Sequence, residues 1–216
     1  MVTPSPFEKR SRSTHVLHPW HGVSPGERLG EELTAFIELV PSDTVKYEVD
    51  KASGLLKLDR PQKYSSICPA PYGFIPQTYC GAEIGRFAAD KAGKTGIRGD
   101  GDPLDICVLS ERAINQGNIL VTARPIGGYR MFDGDEADDK ILAVLVADPA
   151  YGTFADIRDV PPTLVERLRH YFLTYKDMPG TDDVKRRVEI THVYGRDEAL
   201  EVIRLSQLDY RNDFVP

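Results

Sequence analysis

The sequence predicts an α+β fold, in which a small antiparallel β-barrel is covered by helices, two of them near the C-terminus. Several short segments with the alternation of β-strands occupy the chain up to residue 147. From Pro161 onward the spacing of the apolar residues changes to that of a helix. Short strands followed by helices are typical of helices packed outside a small barrel.

The predicted strands follow one another at short spacing. Residues 45–50 alternate, residues 51–54 form a turn, and residues 55–60 return as the partner strand of a hairpin. Residues 61–79 are rich in proline and predict an irregular segment, whereas residues 81–99 carry five glycines and predict a surface loop. The remaining predicted strands are 35–40, 104–109, 119–123, 141–147 and 188–193.

Two helices are predicted in the C-terminal third. The first begins at Pro161 and Pro162 and ends before Pro179 and Gly180. Its apolar face consists of Leu164, Leu168, Tyr171, Phe172 and Tyr175. The second helix is predicted at 197–210.

The length of 216 residues and the hydrophobic fraction of 41% predict one domain over residues 1–216. Residues 1–30 are predicted to form an N-terminal arm over the surface of this domain. His15, His18 and His21 in this arm resemble a metal-binding series, but Pro19 prevents a helix from fixing their spacing, so a structural or solvent-exposed role is favoured.

The overall charge and the cysteine content restrict the class of protein. The net charge is −6, which disfavours a partner that presents many phosphates, such as nucleic acid. Three cysteines are too few for a disulfide framework, and no segment has the apolar length of a membrane span or a secretory signal. We therefore expect a cytoplasmic protein with neither a membrane nor a nucleic-acid partner.

Acidic residues are concentrated at a predicted strand entrance. Asp100, Asp102 and Asp105 lie within six residues, and three carboxylates this close repel one another unless a cation lies between them. Hard divalent cations prefer carboxylate oxygens, which makes magnesium the natural counter-ion. A polar turn before a strand is the alternative interpretation.

A second acidic segment and a set of basic residues strengthen the cation hypothesis. Residues 133–139 contain five acids in seven positions, for which a solvent-exposed hairpin tip is the alternative. Lys46 and Glu48 point to one side of a predicted strand, since they are two residues apart. Further candidates for binding an anion are Arg60, Lys140, Tyr175 and Lys176. Acid clusters together with such groups are typical of a metal-bound phosphate site.

The ordered series of motifs resembles family I soluble inorganic pyrophosphatases. The motif Asp-x-Asp-Pro-x-Asp occupies residues 100–105. The other matching features are Lys46-Tyr47-Glu48, Asp59-Arg60, Tyr72-Gly73, Arg124-Pro125, the spacing of Asp133, Asp138 and Lys140, and Tyr175-Lys176. The resemblance implies an OB-like barrel, hydrolysis of inorganic pyrophosphate to two orthophosphates, several Mg²⁺ ions at the site, and a homo-oligomer.

The resemblance also implies roles for metal ligands. Asp100, Asp105 and Asp138 would hold the metal that helps to activate water, with Asp105 bridging to a second metal. Asp133 and Asp138 would hold a third metal, and Glu38 would contact a fourth. Water activated between the metals would attack phosphorus directly, so no covalent intermediate with a side chain of the protein is implied.

The remaining implied roles concern proton transfer and phosphate binding. Asp102 would act as the general base, and Tyr72 would form a hydrogen bond in the site. Glu48 would support Lys46. The groups that would bind the two phosphates are Lys46, Arg60, Lys140, Tyr175 and Lys176.

Three departures from the family pattern stand out. Cys68 occupies a position where many members have a phosphate-binding tyrosine, and Tyr64 is a candidate to replace it. Gly134 stands where an acid is usual, and Asp135 is a candidate to compensate. The 76–99 segment resembles the longer connection of eukaryotic members, which leaves the oligomeric state open.

Three competing interpretations are weaker. Gly93-Lys94-Thr95 imitates the end of a P-loop, but the required earlier glycine is Ala88. The start of residues 100–105 resembles a calcium loop, but Pro103 and Leu104 interrupt the ligand series. A barrel that binds oligonucleotides would need aromatic side chains in a basic groove, whereas the candidate groove here is acidic.

Overall fold

The computed structural model describes residues 17–176 and 188–215. Its mixed β-sheet and helices confirm the predicted α+β class. The strands are β1 (Leu33–Leu39), β2 (Val45–Val49), β3 (Leu56–Pro61), β4 (Tyr72–Phe74), β5 (Arg98–Gly99), β6 (Asp105–Leu109), β7 (Ile119–Asp133), β8 (Glu136–Ala137), β9 (Lys140–Leu145) and β10 (Val188–Gly195). The α-helices within these residues are α1 (Ala82–Ala92), α2 (Pro162–Thr174) and α3 (Arg196–Phe214).

The main sheet has eight strands, in which β1, β4, β6, β9, β7, β8 and β5 follow one another and β10 pairs with β7. β1 pairs with both β4 and β7. The prediction of an antiparallel sheet is wrong for two pairs, because β6–β9 and β5–β8 are parallel. The β7–β8 hairpin lies between β6 and β9 in the chain, and this crossover lets β9 run in the same direction as β6.

Strand β7 is much longer than the predicted 119–123. It spans 15 residues and continues to Asp133. The register shifts between Pro125 and Gly127, so the proline lies at an irregularity of the ladder. A Cβ atom at Gly128 would lie 2.5 Å from the ring of Tyr194, so the glycine allows β10 to pack closely on β7.

The predicted surface loop at 81–99 is wrong in its first half, where α1 lies. The glycines that indicated a loop mark the helix boundaries and a close contact. Gly93 ends α1 in the left-handed conformation with φ 62°. Gly85 lies on the face that packs against β5, where a Cβ atom would be 2.8 Å from the Gly99 nitrogen. Ile84 and Ala88 are buried on the same helix.

The described part of the predicted arm packs into the protein. Trp20 is 3% exposed, clusters with Phe36, Phe74 and Tyr210, and donates its indole N–H to the Thr78 carbonyl at 2.7 Å. His18 and His21 serve structural contacts, as favoured: His18 Nε2 lies 3.1 Å from the Lys51 carbonyl, and His21 Nδ1 lies 2.8 Å from the Tyr210 hydroxyl. His15, Pro179 and Gly180 lie outside the described residues.

The core lies on both sides of the main sheet and places the helices. One cluster packs α1 and α3 on the sheet through Ile84, Val202 and Ile203. The other packs α2 through Leu168 and Phe172. The predicted β2–β3 hairpin is confirmed as a separate two-stranded sheet. Within the described ranges, no helix combines the length and the apolarity that a bilayer crossing requires.

Candidate active site

A cavity of about 260 Å³ lies where the main sheet meets the β2–β3 hairpin and the end of α2. Its walls carry carboxylates, lysine ammonium groups and two phenols. The predicted site residues among its lining are Glu38, Lys46, Glu48, Tyr72, Asp100, Asp102, Asp105, Asp133, Asp138, Lys140, Tyr175 and Lys176. The structure therefore brings together twelve side chains that are widely separated in the chain.

The ends of regular elements place these side chains. Asp105 is the first residue of β6, Lys140 is the first residue of β9, and Asp133 is the last residue of β7. The parallel pairing sets Asp105 directly beside Lys140. Tyr175 follows the last residue of α2. Because strand ends that converge at one place carry the acids, the cluster depends on the sheet register.

Lysine ammonium groups form the ion pairs of the acid cluster. The Lys140 ammonium contacts the carboxylates of both Asp105 and Asp138. Lys176 contacts Asp133, and Lys46 contacts Glu48. The last pair confirms that Lys46 and Glu48 share one face of β2.

The cavity lining carries more carboxylates than lysine ammonium groups, and burial disfavours the ionised form of several of these carboxylates. Burial, together with the nearby Asp138 carboxylate, raises the pKa of Asp100 to about 8. Burial also raises the pKa of Asp138, despite the opposing effect of Lys140. Burial raises the pKa of Glu38 to about 8, although its Oε1 accepts the Val49 N–H at 2.6 Å. Bound positive charge would stabilise the ionised form of each of these groups.

The donor chemistry of the cluster fits a hard divalent cation. Asp100, Asp105, Asp133 and Asp138 all present carboxylate oxygens, the ligands that such ions prefer. Among the described residues, no three His, Cys, Asp or Glu side chains converge with the geometry of a metal site. Instead, the ammonium of Lys140 lies between two of the carboxylates. The residue types thus match a metal site, while lysines serve as the counter-ions in this structure.

Arg60 lies beside the cavity rather than in its lining. Its guanidinium carbon is 5.8 Å from the centre of the Tyr175 ring, and its Nε is 3.7 Å from Asp59. Its Nη1 is buried and makes no hydrogen bond within the described residues. A buried donor of this kind is satisfied by an anionic oxygen, which fits the predicted phosphate-binding role.

The alternative interpretation of residues 133–139 as a solvent-exposed hairpin tip is wrong for the last two residues of that segment. Asp138 and Asp139 are 9% and 3% exposed. Gly134 has a φ of +69°, a left-handed conformation that favours glycine and explains why no acid stands there. Asp135 does not line the cavity and pairs with Arg98 at 3.3 Å, so the proposed compensation for Gly134 is not seen.

Tyr64 does not take the place of the phosphate-binding tyrosine whose position Cys68 occupies. Tyr64 is 62% exposed and lies outside the cavity lining. Cys68 is fully buried and donates its thiol to the Ala70 carbonyl at 3.2 Å. Cys68 packs in one cluster with Tyr171 and Cys107. Cys107 is buried in the core, as its position in an apolar strand indicates.

Sequence reasoning did not assign six of the lining residues to the site: Trp20, Val49, Lys51, Phe74, Pro103 and Glu136. Lys51 is the most informative, because its ammonium contacts the Asp102 carboxylate and donates to the Gly101 carbonyl at 3.1 Å. It belongs to the β2–β3 turn, and only the fold brings that turn to residues 100–105. Lys51 therefore carried no local signal.

The fold and this cavity are those of an enzyme that acts on phosphate compounds. The family model for inorganic pyrophosphatase matches residues 35–211. The inorganic pyrophosphatase of Chlamydia muridarum is 50% identical over 202 residues, 93% of this chain and 97% of that protein. The soluble inorganic pyrophosphatase of Oryza sativa subsp. japonica is 34% identical over 189 residues, 88% of this chain and 77% of that protein.

A solved structure agrees with these relatives. The crystal structure of inorganic pyrophosphatase from Thermus thermophilus has a TM-score of 0.73 and 30% identity, and covers 90% of this chain and 99% of that chain. The chain belongs to the inorganic pyrophosphatase family. The resemblance that the motif series predicted, and the predicted enzyme class with it, are confirmed.

Proposed function

We propose that this protein hydrolyses inorganic pyrophosphate to two orthophosphates with the help of several Mg²⁺ ions. The observation that carries the proposal is the single cavity in which five aspartates face the ammonium groups of four lysines and two phenols. Membership of the family and the names of the relatives support the same substrate. A cavity of about 260 Å³ has room for a molecule of this size.

We assign the cations to the carboxylates of the cavity. Asp100, Asp105 and Asp138 would hold those that act on the attacking water, Asp133 and Asp138 a further one, and Glu38 would contact another. When bound, the cations supply positive charge that lowers the pKa of the attacking water and neutralises the phosphate oxygens. The raised pKa values of Asp100, Asp138 and Glu38 support this assignment, since burial disfavours their ionised forms and a bound cation would stabilise them.

Asp102 is the proposed general base. Its side chain is 53% exposed at the cavity, where it can reach a water molecule, and the Lys51 ammonium holds it in place. A carboxylate within hydrogen-bond reach of the attacking water removes its proton as the bond to phosphorus forms. No covalent intermediate is needed.

The basic and phenolic groups bind the substrate and the leaving phosphate. Their positive charge and hydrogen bonds stabilise the negative charge that develops on the leaving group. The proposed set is Lys46, Arg60, Lys140, Tyr175 and Lys176. Glu48 orients Lys46 through their ion pair, and Tyr72, which lines the cavity, would donate a hydrogen bond to the bound substrate.

We extend the proposal to architecture and setting. The pairing of β1 with both β4 and β7 supports the OB-like barrel, because β1, β4, β6, β9 and β7 each then have two neighbours. A single domain over 1–216 with an arm at 1–30, the cytoplasmic location and the homo-oligomer stay predictions from the sequence.

Phosphate release from pyrophosphate tests the function. Purified protein is assayed with Mg²⁺ and with an excess of chelator, and the Asp102→Asn variant is assayed beside it. We expect strong release that needs Mg²⁺, and a loss of about 10²- to 10⁴-fold in kcat for Asp102→Asn. Absence of release by the folded wild-type protein at every Mg²⁺ concentration would contradict the function. A fully active Asp102→Asn variant would remove that residue from the base role.

A further inference from the structure

A buried ion pair lies directly behind the proposed metal and phosphate site. Arg130 of β7 and Asp139, just before β9, have side chains that are 0% and 2% exposed. Arg130 Nε donates to Asp139 Oδ2 at 2.9 Å. Neither residue lines the cavity. The pair therefore does not contact substrate, although Asp139 stands between Asp138 and Lys140 in the chain.

Groups from three other parts of the fold complete this network. The Tyr194 hydroxyl of β10 donates to Asp139 Oδ2 at 3.1 Å. Arg130 Nη2 donates to Glu198 of α3 at 3.2 Å. The guanidinium carbon of Arg130 lies 4.9 Å from the centre of the Phe87 ring of α1. The network thus ties the entrance of β9 to β7, β10 and two helices.

The network is a poor source of stability. Removing two charges from water costs free energy that their attraction seldom recovers, and buried ion pairs can often be replaced by apolar residues without loss of stability. Arg130 Nη1 is also buried without a hydrogen-bond partner in the described parts of the chain. A role in defining local geometry accounts for the pair better than a role in stability does.

The geometry acts on Asp138 and Lys140. The Asp138 N–H donates to the Met131 carbonyl at 3.0 Å, and the Met131 N–H donates to Asp139 Oδ1 at 3.3 Å. Two successive residues are thereby fastened to one residue of β7. In extended backbone, successive side chains point to opposite sides. With Asp139 held on the core side, the side chains before and after it are directed to the cavity, which both of them line.

We propose that Arg130, Asp139 and Tyr194 form a positioning network that orients Asp138 and Lys140 for binding the divalent cation and phosphate. The inference rests on the proposed function, since that function assigns those roles to Asp138 and Lys140. The network acts on the reaction only through these two residues.

The test compares single and double variants of the ion pair. Arg130→Met and Asp139→Leu each leave one charge buried without its partner, whereas the double variant Arg130→Met/Asp139→Leu is again neutral and apolar. For each variant we would measure the urea midpoint, Mg²⁺ binding by titration calorimetry, and kcat and KM separately. Asp148→Asn is the matched control, because Asp148 is a buried aspartate beyond the other end of β9.

We expect the double variant to recover stability but not function. Its urea midpoint should return towards that of the wild type, while Mg²⁺ binding weakens by about 10- to 100-fold, as for other residues that orient metal ligands, and kcat falls with it. The Asp148→Asn variant should bind Mg²⁺ as the wild type does. A folded double variant with wild-type Mg²⁺ binding and turnover would overturn the proposal.

Tyr194→Phe keeps the proposal testable if the double variant does not fold. It removes one hydrogen bond to Asp139 and no charge, so we expect a loss of about two- to fivefold in Mg²⁺ affinity, and unchanged affinity would overturn the proposal. Failure of the proposed function is distinguishable, because the wild type would then bind Mg²⁺ without releasing phosphate. Mg²⁺ binding would still report on the network.

Discussion

Two buried aspartates lie beyond opposite ends of β9 and have opposite surroundings. Asp148 follows the strand and accepts hydrogen bonds from the Ser110 hydroxyl and from the backbone N–H groups of Glu111, Ala150 and Tyr151, at 2.7 to 2.9 Å. Asp138 precedes the strand and shares the Lys140 ammonium with Asp105. One carboxylate is satisfied by neutral donors, and the other competes for positive charge.

The pKa values follow from this difference. Although burial opposes it, the hydrogen bonds to Asp148 together lower the pKa of that carboxyl. At Asp138, burial and the Asp105 charge outweigh Lys140 and raise the pKa. A carboxylate whose donors are supplied by the fold serves structure. A carboxyl group whose surroundings disfavour its ionised form is one whose charge a bound cation would stabilise.

The largest expected effect comes from replacing the aspartates beyond the two ends of β9, one at a time, by asparagine. Asp138→Asn should lower kcat/KM by at least about 100-fold, because a lost ligand to a cation affects several kcal/mol of transition-state stabilisation. Asp148→Asn should keep kcat/KM within about twofold and lower the free energy of unfolding by about 1–3 kcal/mol, since buried N–H donors lose a charged acceptor. Steady-state phosphate release and urea unfolding check the two halves.

Similar behaviour of the Asp138→Asn and Asp148→Asn variants would contradict the contrast between the two aspartates. Equal losses of activity would show that Asp148 influences the cavity through β9. Equal losses of stability, with activity kept in both, would show that Asp138 is a structural residue.

A smaller effect is expected at Lys51, the cation that contacts the proposed base. Lys51→Met should lower kcat/KM by roughly fivefold, because an exposed ion pair is worth up to about 1 kcal/mol. Lys57→Met is the matched control: Lys57 is similarly exposed on the same hairpin, pairs with Asp50 at 3.7 Å and lies outside the cavity lining. Phosphate release by the two variants should differ, and equal activities would show that Lys51 has no role in the reaction.

A separate effect, on stability rather than on activity, is a change in how the free energy of unfolding depends on pH when a chelator is present. The raised pKa of Asp100, about 8, means that the folded state binds more protons than the unfolded state between about pH 4 and 8, so stability should fall as pH rises through this window. The lowered pKa of Asp148 has the opposite sign, and its contribution is lost as pH falls below about 4.

Urea unfolding across this pH range separates the two contributions. Asp100→Asn should flatten the loss of stability on the alkaline side, and Asp148→Asn should flatten it on the acid side. If the pH dependence of the free energy of unfolding is the same in Asp100→Asn as in the wild type, the pKa of Asp100 is not raised in the folded protein.

The acidic half of the site could be predicted because its signal is local. Asp100, Asp102 and Asp105 lie within six residues, at the entrance of the strand that begins at Asp105, so their closeness in the chain is itself the signal. Lys51 could not be found in this way, since its contact with Asp102 depends on the docking of the β2–β3 hairpin. The Arg130–Asp139 pair is equally hidden, because burial and register bring the two together.

The errors in the fold have a similar origin. Gly81, Gly85 and Gly93 indicated a loop, but one precedes α1, one allows close packing on β5 and one ends the helix. Gly127 and Gly128 interrupted the pattern of β7 because the packing of Tyr194 needs their missing side chains. At such positions glycine is needed because other parts of the fold approach closely, and local secondary-structure propensity carries no information about these tertiary contacts.

We infer that the aspartates of the cavity bind divalent cations and that Asp148, whose hydrogen-bond donors are supplied by the fold, does not. Thermal unfolding of the wild type, Asp138→Asn and Asp148→Asn with chelator and with increasing Mg²⁺ tests it directly. Mg²⁺ should raise the melting temperature of the wild type and of Asp148→Asn, since a ligand at about 100 times its Kd adds about 2.7 kcal/mol of stability. Asp138→Asn should respond much less. An equal response of Asp138→Asn, or none in the wild type, would contradict the account.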